Sequence, residues 1–180
     1  MIITLGGRAG SGTSSAGRAL AKRLGYKFYS AGEIRRRLAK EKGLTLAELN
    51  KVAERDAYSD KLVDEEMKRM AETQDALVVD AWLGFYFFPD SIKIFLDADI
   101  KVRAKRLVER GNFEEPARSV REAVKLIKQR EEGDAVRFEK RYGVNIFDQN
   151  HFDLVIDTSH NTVEQTVDQI YRFVQSRIAR

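Results

Sequence analysis

Gly6-Gly7-Arg8-Ala9-Gly10-Ser11-Gly12-Thr13-Ser14-Ser15 is the stretch from which the rest of the chain can be read. Before it, Ile2-Ile3-Thr4-Leu5 is a short β-branched run, the pattern of a buried strand. After it, Ala16, Leu20, Ala21 and Leu24 recur at helical spacing, and Gly25 supplies a stop. A strand that turns through glycines into a helix makes an anion cradle. Glycines let backbone N–H groups point inward without Cβ clashes, and the helix N-terminus adds the positive end of its dipole. The spacing Gly7-x4-Gly12-x-Ser14 is that of the phosphate-binding P-loop, G-x-x-x-x-G-K-[ST]. Gly7, Arg8, Ala9, Gly10, Ser11, Gly12, Thr13, Ser14 and Ser15 are therefore expected around a polyphosphate, with the Ser14 hydroxyl placed to ligate Mg²⁺. One position departs from the motif. Thr13 stands where the lysine belongs, so the loop lacks its point charge for the β- and γ-phosphates.

Composition sets the frame. The 180 residues suit one domain with a substantial core, and 43% hydrophobic with 33% charged content is that of a globular protein. Cysteine is absent, which excludes a disulfide framework and thiolate metal sites. No apolar run approaches membrane-spanning length and no leader precedes the first strand, so the expected compartment is the cytoplasm. A net charge of +4 favours anionic partners, which nucleotides satisfy. Nucleic-acid binding is not expected, since basic and aromatic residues do not interleave.

Along the chain, strands are expected at Tyr26–Tyr29, Ala76–Asp80, Ser91–Asp97 and His151–Asp157. Ser30 with Glu33, Thr45 with Glu48, Ser119 with Glu122 and Thr162 with Gln165 fit capping boxes at helix starts. Ser59–Glu72 reads as a further helix, and Asp99 caps another over Ile100–Arg110 that Gly111 ends. The last helix carries the stripe Val163, Val167, Ile170, Phe173, Val174 and Ile178. Strands alternating with helices give an α/β fold, a parallel sheet wrapped on both sides, with ligands at the carboxyl ends of its strands. The loop, Ser30, Asp80 and Asp97 all fall there.

Phosphoryl transfer needs two substrates in line and positive charge over the moving group. Arg130, Asp134 and Arg137 lie four and three residues apart, on one helix face. They read either as two guanidinium forks closing over phosphates or as a surface ion-pair ladder; the P-loop favours the first. Of Arg35, Arg36 and Arg37, Arg36 is expected to face the site and the other two to be solvated. Asp80, ending a buried strand, is placed to meet Mg²⁺ through water or a sugar hydroxyl. Trp82, Phe85, Tyr86, Phe87 and Phe88 are expected mostly in the core. His151 and His160 suggest neither a metal cluster nor a triad.

Four segments carry a resemblance to archaeal-type cytidylate kinases among the nucleoside monophosphate kinases: Gly10–Ser14, Tyr29–Arg36, Phe88–Asp97 and Arg130–Arg137, with Asp153–Ser159 following. The resemblance implies a P-loop kinase fold with a five-stranded parallel sheet, a helical monophosphate-binding insert at 31–73 and a lid at 111–149. It implies transfer of the γ-phosphoryl of ATP to CMP or dCMP with Mg²⁺, by a monomer. Arg36 would grip the acceptor phosphate, Ser30 and Asp80 would line the acceptor site, and Ser159–Thr162 would border the adenine. Arg130 and Arg137 would bridge the phosphates with Asp134 as their partner. Where the family has Gly-Arg after the strand carboxylate, this chain has Ala81-Trp82. Either Arg8, Arg55 or Lys61 takes over from that arginine, or the acceptor is another small molecule. A nucleotide-binding module without transferase activity is the alternative of a different class.

Overall fold

A computed structural model describes residues 1–55, 58–109, 117 and 119–178. Five parallel strands stand in the order β2-β3-β1-β4-β5: β1 (Ile2–Gly7), β2 (Lys27–Ser30), β3 (Leu77–Asp80), β4 (Ile92–Asp97) and β5 (Leu154–Asp157). Helix α1 (Thr13–Leu24) follows β1. Helices α2 (Ala31–Glu41), α3 (Leu46–Arg55) and α4 (Tyr58–Thr73) lie between β2 and β3, and the short α5 (Gly84–Phe87) follows β3. Then come α6 (Ile100–Glu109), the 23-residue α7 (Val120–Tyr142) and α8 (Val163–Ile178).

The two-residue period of the strands builds two cores. Ile3, Leu5, Val78, Ile94 and Leu96 point to one face, where α1 and α8 cover them with Leu20, Val167, Ile170 and Val174. Leu77 and Val79 point to the other, against Val63, Met67 and Met70 of α4 and Phe138 of α7. Being covered on both sides explains why these strands are apolar almost throughout. The N-terminal half of α7 rests separately on α6, through Ala123, Ile127 and Ala104.

The expected caps form. Thr45 and Glu48 exchange bonds in both directions, Thr45 N–H to Glu48 Oε2 at 2.7 Å and Glu48 N–H to Thr45 Oγ1 at 3.2 Å. Thr162 and Gln165 do the same at 2.9 and 3.1 Å. Five expectations need correction. Tyr26 precedes β2, which runs on to Ser30, and Ser91 precedes β4. Ala76 is not in β3; its φ of 49° puts it in the left-handed region just before the strand. His151–Asp153 are not ladder residues either. Gln149–His151 form a 3-10 turn capped by Asp148, and the Asp153 carboxylate accepts the Lys93 N–H at 2.8 Å. The α8 stripe is buried only in its middle, with Val163 and Ile178 exposed. The Arg110–Gly111 helix end lies outside the described residues.

Candidate active site

Parallel register brings the strand ends together at one edge of the sheet. Ser30 is level with Asp80 on the neighbouring strand, and Asp97 with Asp157. At the middle of that edge β1 runs into the loop, which opens through Gly10 (φ 84°) and Gly12 (φ 99°), both left-handed. Two close approaches demand glycine as well. A Cβ on Gly7 would lie 2.4 Å from the Leu96 carbonyl oxygen, and one on Gly10 2.8 Å from that of Arg103. Gly12 caps α1 with no side chain, so the first-turn N–H groups face outward, as an anion requires.

A cavity of about 790 Å³ opens over this loop. Every loop residue from Gly7 to Ser15 lines it except Ser11, which is buried beneath with its hydroxyl unpartnered. Arg36, Asp80, Arg130, Asp134 and Arg137 line it too, so the side chains expected to act together meet there. Ser30 does not. It is buried at 4% exposure, caps α2 and donates to Asp80 Oδ2 at 3.1 Å.

Ser14 Oγ donates to the same Asp80 oxygen at 2.5 Å. Burial pushes the Asp80 carboxyl above its ordinary range, opposed by hydrogen bonds from Ser14, Thr13 and Ser30 and by the charge of Arg36. This serine–carboxylate pair at a helix N-terminus is the donor set that Mg²⁺ takes when phosphates and water complete its shell. Among the described residues no group of three or more His, Cys, Asp or Glu forms a metal cage; a Mg²⁺ shared with substrate phosphates needs none.

On α7, Arg137 Nη2 lies 2.9 Å from Asp134 Oδ1 and Arg130 Nε 3.5 Å from Oδ2. Burial raises the Asp134 carboxyl, and these guanidiniums with Arg35 pull it back. The surface-ladder reading fails for Asp134 and Arg137, whose side chains are 6% and 8% exposed.

Several participants were not expected. Arg35 is not solvated: it pairs with the buried Asp60 and donates to Asn50 Oδ1 at 2.7 Å. Arg141 donates to Asp60 at 2.7 Å, and Arg137 Nε lies 3.8 Å from it. Asp60 thus ties α4 to α2 and α7. Below the loop, Arg103 donates to Glu131 Oε1 at 2.6 Å and to the Ala9 carbonyl at 3.2 Å, while Arg8 donates to Glu131 Oε2 at 2.8 Å. Glu131 carried a signal in the sequence: it falls on the stripe Ala123, Ile127, Asp134 and Phe138 that α7 buries.

Trp82 donates its indole N–H to the Gly7 carbonyl at 2.8 Å and packs edge-on against Phe138 and Phe147. Phe85 and Phe88 are core residues, whereas Tyr86 is 47% exposed. His151 stacks on Phe85 at 4.4 Å. Of the residues considered in place of the missing arginine, Arg8 lines the cavity and Lys61 does not; the Arg55 side chain lies outside the described residues.

Residues 2–160 match the model of the cytidylate kinase-like family. The chain belongs to that family. The cytidylate kinase of Sulfurisphaera tokodaii is 38% identical over 162 residues, 89% of this chain and 87% of that one. The cytidylate kinase of Sulfolobus acidocaldarius is 38% identical over 172 residues, 94% and 92% of the two chains. Among solved structures, an uncharacterized protein from Eubacterium ventriosum superposes with a TM-score of 0.72 at 18% identity, covering 98% and 99% of the two chains. A shikimate kinase from Bacteroides thetaiotaomicron does so at 0.65 and 17%, covering 97% and 98%. These last two likenesses bear on the fold alone. The cytidylate kinase-like assignment agrees with a loop, a strand-end carboxylate and an arginine-bearing helix around one cavity.

Proposed function

We propose that this protein transfers the γ-phosphoryl group of ATP to CMP or dCMP, giving CDP or dCDP. The observation that carries the reading is one cavity lined by the phosphate loop, by Asp80 and by Arg130, Asp134 and Arg137 of α7. Its kinship with proteins named cytidylate kinase supports the choice of acceptor.

On this reading the triphosphate tail lies on the amides of Gly7–Ser15. Residues 31–73 form the acceptor-binding insert and 111–149 the lid, of which 111–116 and 118 lie outside the described residues. Arg36 holds the acceptor phosphate. An oxygen of that phosphate attacks the γ-phosphorus, the bond to the β–γ bridging oxygen breaks, and ADP leaves with the electron pair. Arg130 and Arg137 supply positive charge over the transferring group, and Asp134 fixes both guanidiniums. Ser30 acts through Asp80, keeping the carboxylate turned toward Ser14. Ser14 and Asp80 would hold Mg²⁺, which would supply positive charge against the phosphates. Closure of the lid would exclude water, which otherwise competes as acceptor.

A coupled assay with ATP, Mg²⁺ and a panel of monophosphates tests the proposal. Turnover fastest with CMP or dCMP is the expected result. Turnover only with a different small acceptor would redirect the substrate assignment, and nucleotide binding with no turnover would identify a non-catalytic module.

A further inference from the structure

Thr13 leaves the loop without the ammonium that normally reaches the β- and γ-phosphates, yet a cation sits five residues earlier in the same loop. We infer that Arg8 is the phosphate-contacting charge of this loop, and that Glu131 holds it in reserve until a triphosphate arrives. The inference rests on the kinase reading above and assigns a role within its donor site.

Three observations carry it. First, Arg8 lines the same cavity as Thr13, Ser14 and Arg130, and its side chain keeps 30% exposure, against 5% for Arg103. Its guanidinium lies over the Phe147 ring at 4.5 Å, a contact that leaves its edge N–H groups for oxygen acceptors. Second, its present partners can be given up. Glu131 uses one oxygen for Arg8 at 2.8 Å and the other for Arg103 at 2.6 Å. When Arg8 turns away, the buried carboxylate still faces the buried Arg103, so no uncompensated charge is left behind. The second acidic neighbour, Asp97 at 3.5 Å from Arg8 Nε, is a longer and partly solvated contact. Third, Arg103 cannot do the work itself. Its Nε donates to the Ala98 carbonyl at 2.9 Å, and its Nη1 serves both Ala9 and Glu131, which locks it under the loop. Exchanging one carboxylate contact for two or more phosphate oxygens favours the bound state, since a guanidinium fork matches a phosphate bidentately. Glu131 is then a positioning residue, acting through Arg8 and Arg103.

The test compares wild type, Arg8→Ala, Arg8→Lys and the double variant Arg8→Ala/Thr13→Lys, each checked for folding by its thermal transition. Turnover is measured with CMP, and the affinities of Mg·ATP and AMP by calorimetry. Arg8→Ala should lower kcat about 100-fold and weaken Mg·ATP roughly 10-fold or more, with AMP affinity unchanged. Arg8→Lys should keep part of the activity, and restoring the motif lysine at position 13 should recover most of what Arg8→Ala loses. A purely structural arginine would not be rescued that way. Unchanged kcat and Mg·ATP affinity in both single variants would overturn the assignment while the wild-type activity stands. If wild type transfers to no acceptor but Mg·ATP affinity still depends on Arg8 and is rescued by Thr13→Lys, the kinase reading falls and the phosphate contact remains. Should Arg8→Ala not fold, the neutral Arg8→Gln decides: triphosphate affinity and turnover equal to wild type would overturn the assignment.

Discussion

The Ser14 hydroxyl donates to the Asp80 carboxylate across 2.5 Å, although the two residues are 66 positions apart. One stands on the first turn after the phosphate loop and the other at the end of the adjacent strand, so the contact welds α1 to β3. Its energetics are lopsided. Burial raises the Asp80 carboxyl above its ordinary value of 3.8, so the folded protein holds that proton more tightly than the unfolded chain does. The resulting penalty is absent below that ordinary value, grows as pH rises toward the shifted value and is complete above it. Asp80→Asn should therefore melt at higher temperature than wild type at pH 7 without Mg²⁺ or nucleotide, with the advantage fading as pH falls through the raised value and gone below about 4. Tm measured against pH checks this; a difference constant with pH would contradict it. The same variant should lose most of its turnover.

Asp60 is the counter-ion for guanidiniums from two other helices, Arg35 on α2 and Arg137 and Arg141 on α7. Asp134 serves Arg130 and Arg137 on α7 in the same way. Removing one carboxylate strands buried cations. Asp60→Ala should cost about 3 kcal/mol of stability, visible as a fall in Tm on the order of 10 °C. Denaturant unfolding measures it directly. A loss below about 0.5 kcal/mol would show the pairing to be a solvated one.

Arg130→Ala and Arg137→Ala should lower kcat by roughly 100-fold or more while changing the KM for ATP by only a few-fold, since charge over the transferring group counts in the transition state. Steady-state kinetics with ATP and CMP separate the two effects. Equal losses in kcat and in nucleotide affinity would move these arginines from the transferring phosphoryl to ground-state binding.

Ala76 occupies a left-handed conformation at φ 49° while its carbonyl accepts the Lys27 N–H at 3.0 Å. A Cβ is disfavoured there by about 1–2 kcal/mol, and glycine gives back part of that through its freer unfolded chain. Ala76→Gly should therefore stabilise the protein by somewhat under about 1 kcal/mol, with activity unchanged. Chemical denaturation would show it as a higher midpoint with the same slope.

What was legible in the sequence was what is local. The loop follows from glycine spacing, and Thr45 with Glu48 shows its cap in four residues. The strand-end position of Asp80 follows from an apolar run that stops at a carboxylate. The pairing of Asp60 with Arg141 could not be seen in the same way, because it depends on where α4 and α7 cross, 81 residues apart. Arg103 looked like one cation among several on a charged helix; only the fold shows that its side chain runs under the loop to Ala9. His151-Phe152-Asp153 misled because an aromatic next to an apolar run imitates a strand. Asp153 donates its N–H to the Lys93 carbonyl at 2.8 Å as a strand residue would, but accepts the Lys93 N–H with its carboxylate instead of a peptide carbonyl.

Helix α7 rests on two separate footings, Ile127 against α6 at one end and Phe138 against the α4 side of the sheet at the other. Such a beam behaves as a lever. With the first footing as fulcrum, Arg137 is about 15 Å along the axis, so a tilt of about 10° would sweep it through roughly 2.5 Å. That travel is comparable to an ion-pair distance. A small slip at the distal footing is thus converted into the making or breaking of a full electrostatic contact.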